Sequence, residues 1–153
     1  MDPVVVAAII GGCAAVAAPV ITLLVKKALD ERRLRPVPAR WARALPGNWD
    51  GTVQEAGLSP YKITLNFELR GKLIKGTGTF ETRTIEVTGS FYDDRFLRLD
   101  YKNKDPAIIQ YGLAILELLP TANKLEGKFL GYGPIAKRLV AGGITLEKAG
   151  NPV

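Results

Sequence analysis

Residues 61–70 read YKITLNFELR. Ile63, Leu65, Phe67 and Leu69 share one parity, and Lys62, Thr64, Asn66 and Glu68 share the other. Successive side chains of a strand point to opposite faces, so a period of two describes a strand with one apolar and one wet face. The pattern recurs downstream. In TIEVTGSFY (84–92), Ile85, Val87, Gly89 and Phe91 alternate with Glu86, Thr88 and Ser90. In RFLRLDY (95–101), Leu97, Leu99 and Tyr101 alternate with Phe96, Arg98 and Asp100. Further strand-like segments cover 47–55, 73–80, 108–118, 124–131 and 139–147. Turn-forming clusters separate them: Arg70-Gly71-Lys72, Tyr92-Asp93-Asp94-Arg95, Pro106, Pro120-Thr121-Ala122-Asn123 and Gly133-Pro134.

Eight short strands with no helix-length gap predict an antiparallel meander. Eight strands are enough to close the sheet on itself, which removes its exposed edges. A sandwich of the same strands is the alternative. The barrel is preferred because the glycines at 76, 78, 89, 127, 131 and 142 fall mostly on the apolar parity. A tightly coiled sheet needs such positions without a Cβ.

Upstream of the strands the character of the chain changes. From Pro3 to Val25 there is no charged residue, a run of 23. About 20 apolar residues in a helix cross a hydrocarbon core of roughly 30 Å, so the run is long enough to span. A secretion signal is disfavoured: Asp2 stands where a base is expected, and the run meets Lys26-Lys27 without a small-residue cleavage site. Ile10-Gly11-Gly12-Cys13 loosely resembles a lipobox, but the apolar run continues for twelve residues past Cys13. Cys13 therefore reads as a small side chain within the span. Ala7, Gly11 and Ala15 recur every four residues. That stripe would let two helices approach closely, or it reflects how common Ala and Gly are in such spans.

Residues 26–43 carry seven bases, Lys26, Lys27, Arg32, Arg33, Arg35, Arg40 and Arg43, against Asp30 and Glu31. The positive-inside rule then places the N-terminus outside and the rest in the cytoplasm, as a single-pass protein. The chain carries +6 overall, but most of it sits in this segment, leaving +2 for residues 44–153. A base beside anionic lipid is worth about 1 kcal/mol. A nucleic-acid polymer would require a basic face on the domain itself, so none is expected as a partner. Arg35-Pro36-Val37-Pro38 stops the helix. In ARWARAL (39–45), Trp41 suits either the lipid headgroup layer or a short helix capping the domain. The expected organisation is thus mainly β: a single transmembrane helix at 1–25, a basic juxtamembrane helix and linker at 26–45, and a small eight-stranded antiparallel meander barrel at 46–150.

The chain has no histidine, and its one cysteine is in the apolar run. That removes the usual general base, the His-paired nucleophiles and most zinc sites. No phosphate-binding Gly-rich loop with Lys-Ser/Thr occurs. Asp93-Asp94 suits a turn better than a metal site. The sequence points away from an enzyme and from any metal or cofactor. Binding is better supported, because a barrel of this size holds side chains or one small ligand. Candidate contacts are Trp49, Tyr61, Tyr101, Tyr111 and Tyr132, with Arg83, Arg95, Lys102 and Asn103 near strand ends. Aromatic faces stack a base, and Arg or Lys meets phosphate.

Two resemblances follow. Gly47-x-Trp49-x-Gly51 in LPGNWDGT resembles the opening of lipocalin- and avidin-type barrels, in which the Trp closes the barrel bottom. More of the chain, with its anchor, basic segment and the phrases IKGTG, VTGSF and LEGKF, is similar to the membrane-anchored β-barrel effectors of bacterial anti-phage cyclic-oligonucleotide signalling, the CBASS type. That resemblance implies a barrel that senses a cyclic di- or trinucleotide. It also implies homo-oligomerisation through the anchor and disruption of the inner membrane. That family usually has two transmembrane helices, and this sequence offers one. The alternatives are a membrane-tethered, lipocalin-like carrier of an apolar small molecule, and a tether whose barrel binds another protein.

Overall fold

The computed structural model describes residues 34–55, 57–92, 94–133 and 136–150. The proposed span at 1–25, its stripe Ala7, Gly11 and Ala15, and Asp93 lie outside the described residues. Among the described residues no helix is long and apolar enough to cross a membrane.

A short helix, α1 (Ala39–Ala44), precedes eight strands: β1 (Gly47–Glu55), β2 (Tyr61–Arg70), β3 (Leu73–Phe80), β4 (Arg83–Phe91), β5 (Phe96–Asn103), β6 (Tyr111–Leu118), β7 (Lys124–Gly133) and β8 (Arg138–Lys148). Each strand pairs antiparallel with the next, and β8 returns to β1 to close the barrel. The closing register sets Val53 opposite Ile144 and Glu55 opposite Gly142. The expected meander barrel is therefore the fold, and the sandwich is not.

Alternation decides which face turns inward. In β2, Ile63, Leu65 and Phe67 are buried while Lys62, Thr64, Asn66 and Glu68 are exposed. Slipping this strand by one residue would exchange the two sets, so burial fixes the register. Tight turns help: Gly71 has φ +63°, as the two-residue β2–β3 connection requires. The inward glycines answer to crowding. A Cβ at Gly78 would lie 1.9 Å from the carbonyl oxygen of Thr64 on the neighbouring strand. No side chain fits there, which lets β2 and β3 coil as a small closed barrel demands.

The two ends differ. At the end where the chain enters, Leu45, Trp49, Phe67, Ile74, Leu97, Leu116, Leu118, Leu125 and Leu146 form a fully buried layer. Trp49 meets Phe67 edge-on, with ring centroids 6.4 Å apart, and its indole N–H donates to the Leu45 carbonyl at 2.8 Å. The helix α1 seals this end. Its Trp41 is only 2% exposed, and the Trp41 indole N–H donates to the Asp94 carbonyl at 2.7 Å. Of the two places the sequence allows for Trp41, the structure shows the cap. Lys148, at the end of β8, donates from Nζ to the Ala44 carbonyl and lies 5.7 Å over the Trp49 ring. First helix, first strand and last strand are thereby fastened together. The tryptophan of the Gly-x-Trp-x-Gly phrase, Trp49, is fully buried at this closed end.

Candidate functional site

The opposite end is not filled. Towards the loops that join β1 to β2, β3 to β4, β5 to β6 and β7 to β8, the inward residues do not fill the interior. They leave a cavity of about 80 Å³ that opens to the outside. Val53, Ile63, Leu65, Phe80, Ile85, Val87, Leu99, Ala114, Phe129, Val140 and Ile144 supply an apolar wall. The polar residues that border it are Glu55, Tyr101, Gln110 and Tyr132. None of the described residues lining it is lysine or arginine.

Strand parity places each of these groups. Along β1 the inward series is Trp49, Gly51, Val53 and then Glu55, so a carboxylate ends an apolar row at the mouth. Along β5 it is Leu97, Leu99, Tyr101 and Asn103. Tyr101 swings across the interior until its hydroxyl lies over the glycines of β6 and β7. A Cβ at Gly112 would sit 2.5 Å from that oxygen, and one at Gly131 would sit 1.9 Å from it. Burial holds the Tyr101 phenol in its neutral form, and the Glu55 carboxylate adds to the effect, so its pKa is pushed up to about 12.

Asn103 and Gln110 shape the rim. Among the described residues they are the buried polar side chains, 7% and 8% exposed, and each satisfies the other. Asn103 Nδ2–H donates to Gln110 Oε1 at 2.8 Å, and the Asn103 backbone N–H donates to the Gln110 carbonyl, also at 2.8 Å. Asn103 Oδ1 accepts from the backbone N–H of Asp105 at 2.8 Å. Asp105 Oδ1 in turn accepts from the N–H of Ala107 at 2.9 Å. The β5–β6 loop is thus wound on side-chain acceptors, with Gln110 turned to the cavity.

The sequence-derived candidates do not form one cluster. Tyr101 and Asn103 stand at the open end, one in the cavity wall and one beneath the rim. Arg83 is at the same end outside the lining, 3.8 Å from Glu81. Lys102 is on the outer face, 3.4 Å from Glu86. Tyr111 and Tyr132 stack on each other at 6.2 Å with their planes 12° apart. They border an outer groove shared with Lys102, Leu113, Leu130 and Leu139, and Tyr132 borders the cavity as well. Trp49 and Arg95 lie at the closed end. Trp49 is part of the seal, and Arg95 pairs with Glu117 and lies 5.9 Å over the Phe96 ring. Tyr61, near the start of β2, packs on Phe80 at 5.6 Å. The reading by residue type missed Glu55 and Gln110. The inward parity of β1 pointed to Glu55. Nothing local in the sequence pairs Gln110 with Asn103 across the intervening loop. Among the described residues no group of three or more Cys, Asp or Glu side chains is placed to hold a metal.

No protein-family model and no curated protein matches the chain. Solved structures do share its fold. A redesigned β-barrel, mFAP1, bound to DFHBI superimposes with a TM-score of 0.55 at 16% identity, covering 72% of this chain and 100% of that one. The barrel EF1p2_mFAP2b, also bound to DFHBI, gives a TM-score of 0.57 at 14% identity, covering 71% and 97%. A further redesigned barrel gives 0.54 at 16% identity, covering 71% and 95%. At such identities the likeness is one of fold: a small, closed, eight-stranded antiparallel barrel.

Proposed function

We propose that this domain is a binding module, not an enzyme, and that it takes a small, mainly apolar molecule into the open end of the barrel. The observation that carries the reading is the asymmetry of the interior. One end is packed shut by Trp41, Trp49 and their neighbours, while the other keeps an apolar hollow with a few polar groups at its mouth. Natural interiors are packed closely, so an unfilled apolar space is the default candidate for a ligand site. An engineered apolar cavity of about 150 Å³ takes up benzene. A hollow of about 80 Å³ that is open to the outside suits a single ring or a short alkyl chain, with the remainder of the ligand in the mouth. That two of the similar barrels are bound to DFHBI is consistent with such use of the architecture. In this proposal the span at 1–25 tethers the module to a membrane, with the basic segment on the cytoplasmic side.

The effector reading implied by the resemblance comes second. What favours it is the uncharged run followed by seven bases in 26–43. The interior does not. A cyclic oligonucleotide carries at least two phosphates, which call for arginine or lysine, and the described lining contains neither. Under this reading a cyclic nucleotide must dock elsewhere, such as the outer groove beside Lys102 and the Tyr111–Tyr132 stack.

The test is the unfolding midpoint of the full chain against toluene, short alcohols and a panel of cyclic di- and trinucleotides with their linear forms. A ligand bound only to the folded state adds RT ln(1 + [L]/Kd), about 2.7 kcal/mol at a hundredfold excess over Kd. A shift with toluene or the alcohols is expected. A shift with a cyclic nucleotide and none with the apolar probes would replace this reading by the effector reading.

A further inference from the structure

Resting on that reading, we infer that the cavity selects apolar molecules that carry an amine or similar cationic donor, and that Glu55 is the group that recognises them. Glu55 brings a carboxylate into the cavity wall, on the inward parity that begins at Trp49. Among the described residues its carboxylate takes part in no ion pair. The described wall offers no lysine or arginine to balance it, and Arg83, at the same end of the barrel, lies outside the lining. Arg83 is engaged by Glu81. The other polar residues of the wall, Tyr101, Gln110 and Tyr132, bring no cationic group. The interior therefore carries one uncompensated negative charge at the mouth of an apolar hollow.

That arrangement sorts ligands by charge. An ammonium entering with its apolar part in the hollow gives Glu55 a charge-assisted hydrogen bond where water is partly excluded. A fatty acid or a phosphate brings like charge into the same low-dielectric space and is rejected. A neutral hydrocarbon gains only from the wall. Glu55 is a specificity residue in this scheme, and the apolar wall supplies the common affinity.

The experiment measures dissociation constants by calorimetry at neutral pH for benzylamine, toluene and benzoate. It uses the full chain and its Glu55→Gln variant, in which a neutral side chain of the same size stands at the mouth. Benzylamine is expected to bind roughly tenfold or more tighter than toluene, the scale of a charge-assisted hydrogen bond, with benzoate weakest. In Glu55→Gln the advantage of benzylamine should vanish while toluene binds as before, which also shows that the variant is folded. If toluene binds the native chain and benzylamine binds no tighter, or if Glu55→Gln leaves benzylamine unaffected, the inference is overturned and the apolar cavity remains. If none of the three binds, the cavity reading falls and takes the inference with it.

Discussion

The hydroxyl of Tyr101 occupies the place of a side chain that residue 131 does not have. A Cβ on Gly131 would lie 1.9 Å from that oxygen and 2.8 Å from the ring carbon bearing it. The ring spans the barrel from β5 towards β7, and the glycine makes room for its tip. Gly131→Ala should therefore force the ring aside. The expected cost is about 1–3 kcal/mol, typical of overpacking. Gly131→Ala in a Tyr101→Ala background should cost less, because the nearest clash is gone and only the Tyr111 carbonyl oxygen, 2.8 Å from such a Cβ, still crowds it. A double-mutant cycle by denaturant unfolding measures the difference, and additive effects would show that the two positions do not meet in solution.

The same phenol gives the domain a pH signature. Its pKa in the folded chain is raised to about 12 from an ordinary value near 10. Below pH 10 both folded and unfolded chains hold the proton, and the full stability is present. Between about 10 and 12 the unfolded chain loses the proton that the folded chain retains, so stability falls as pH rises. The unfolding free energy of the native chain should drop through this window more steeply than that of Tyr101→Phe. The absorbance titration of the native chain minus that of Tyr101→Phe should show the Tyr101 phenol ionising late, and only while the chain is folded.

Asn103 holds the rim through Gln110 and Asp105. Asn103→Ala leaves the buried Gln110 amide without its side-chain partner and removes the acceptor that receives the Asp105 N–H. The expected destabilisation is about 1–3 kcal/mol, the cost of stranding a buried polar group. Amide exchange should accelerate first in the β5–β6 loop, at Asp105, Ala107 and Ile108, and not at the closed end. Uniform acceleration across the barrel would mean that the pair supports global stability and not the rim.

Much of the barrel was legible because alternation is a local signal. Ile63-x-Leu65-x-Phe67 can face only one way in a half-buried strand, and the glycines on the same parity pointed to a coiled, closed sheet. The site was far less legible. Residue type drew attention to Trp49 and Arg95 as readily as to Tyr101, yet which end of a barrel is sealed depends on what packs beneath it. Here that is α1, whose Trp41 could have sat in lipid as far as its neighbours in sequence reveal. Glu55 carries no mark in the sequence, because an isolated acid at the end of a strand is more often a solvated strand end than a cavity group. The meeting of Gln110 with Asn103 is a product of loop closure, on which single-residue patterns are silent.

The seal itself can be tested by contrast within one short helix. Trp41 is buried against the end of the barrel with its N–H satisfied by Asp94, whereas Arg43, two residues on, is exposed. Trp41→Ala should cost about 3–5 kcal/mol, as large-to-small changes in a core do. Arg43→Ala should change stability by less than about 0.5 kcal/mol, as surface substitutions usually do. Chemical denaturation of the full chain checks both. Equal, small effects would mean that α1 is a linker that only touches the barrel.

What the hollow is for can be tested at Ala114. Ala114 lines the cavity and is flanked in register by Leu99 and Phe129. Its methyl group leaves space that a larger apolar side chain would fill. If the space were an incidental packing defect, filling it would only stabilise the domain. If it is a ligand site, filling it stabilises the empty chain and abolishes binding together, the usual conflict between function and stability. Ala114→Leu should raise the unfolding free energy of the unliganded chain by about 0.5–2 kcal/mol, the range found for cavity-filling changes. It should also remove the stabilisation produced by toluene. A variant that is more stable yet still responds to toluene would place the binding site outside the cavity. A variant that is less stable would show that Leu99 and Phe129 already use the space. Unfolding curves of the native chain and the variant, each with and without the probe, separate these outcomes.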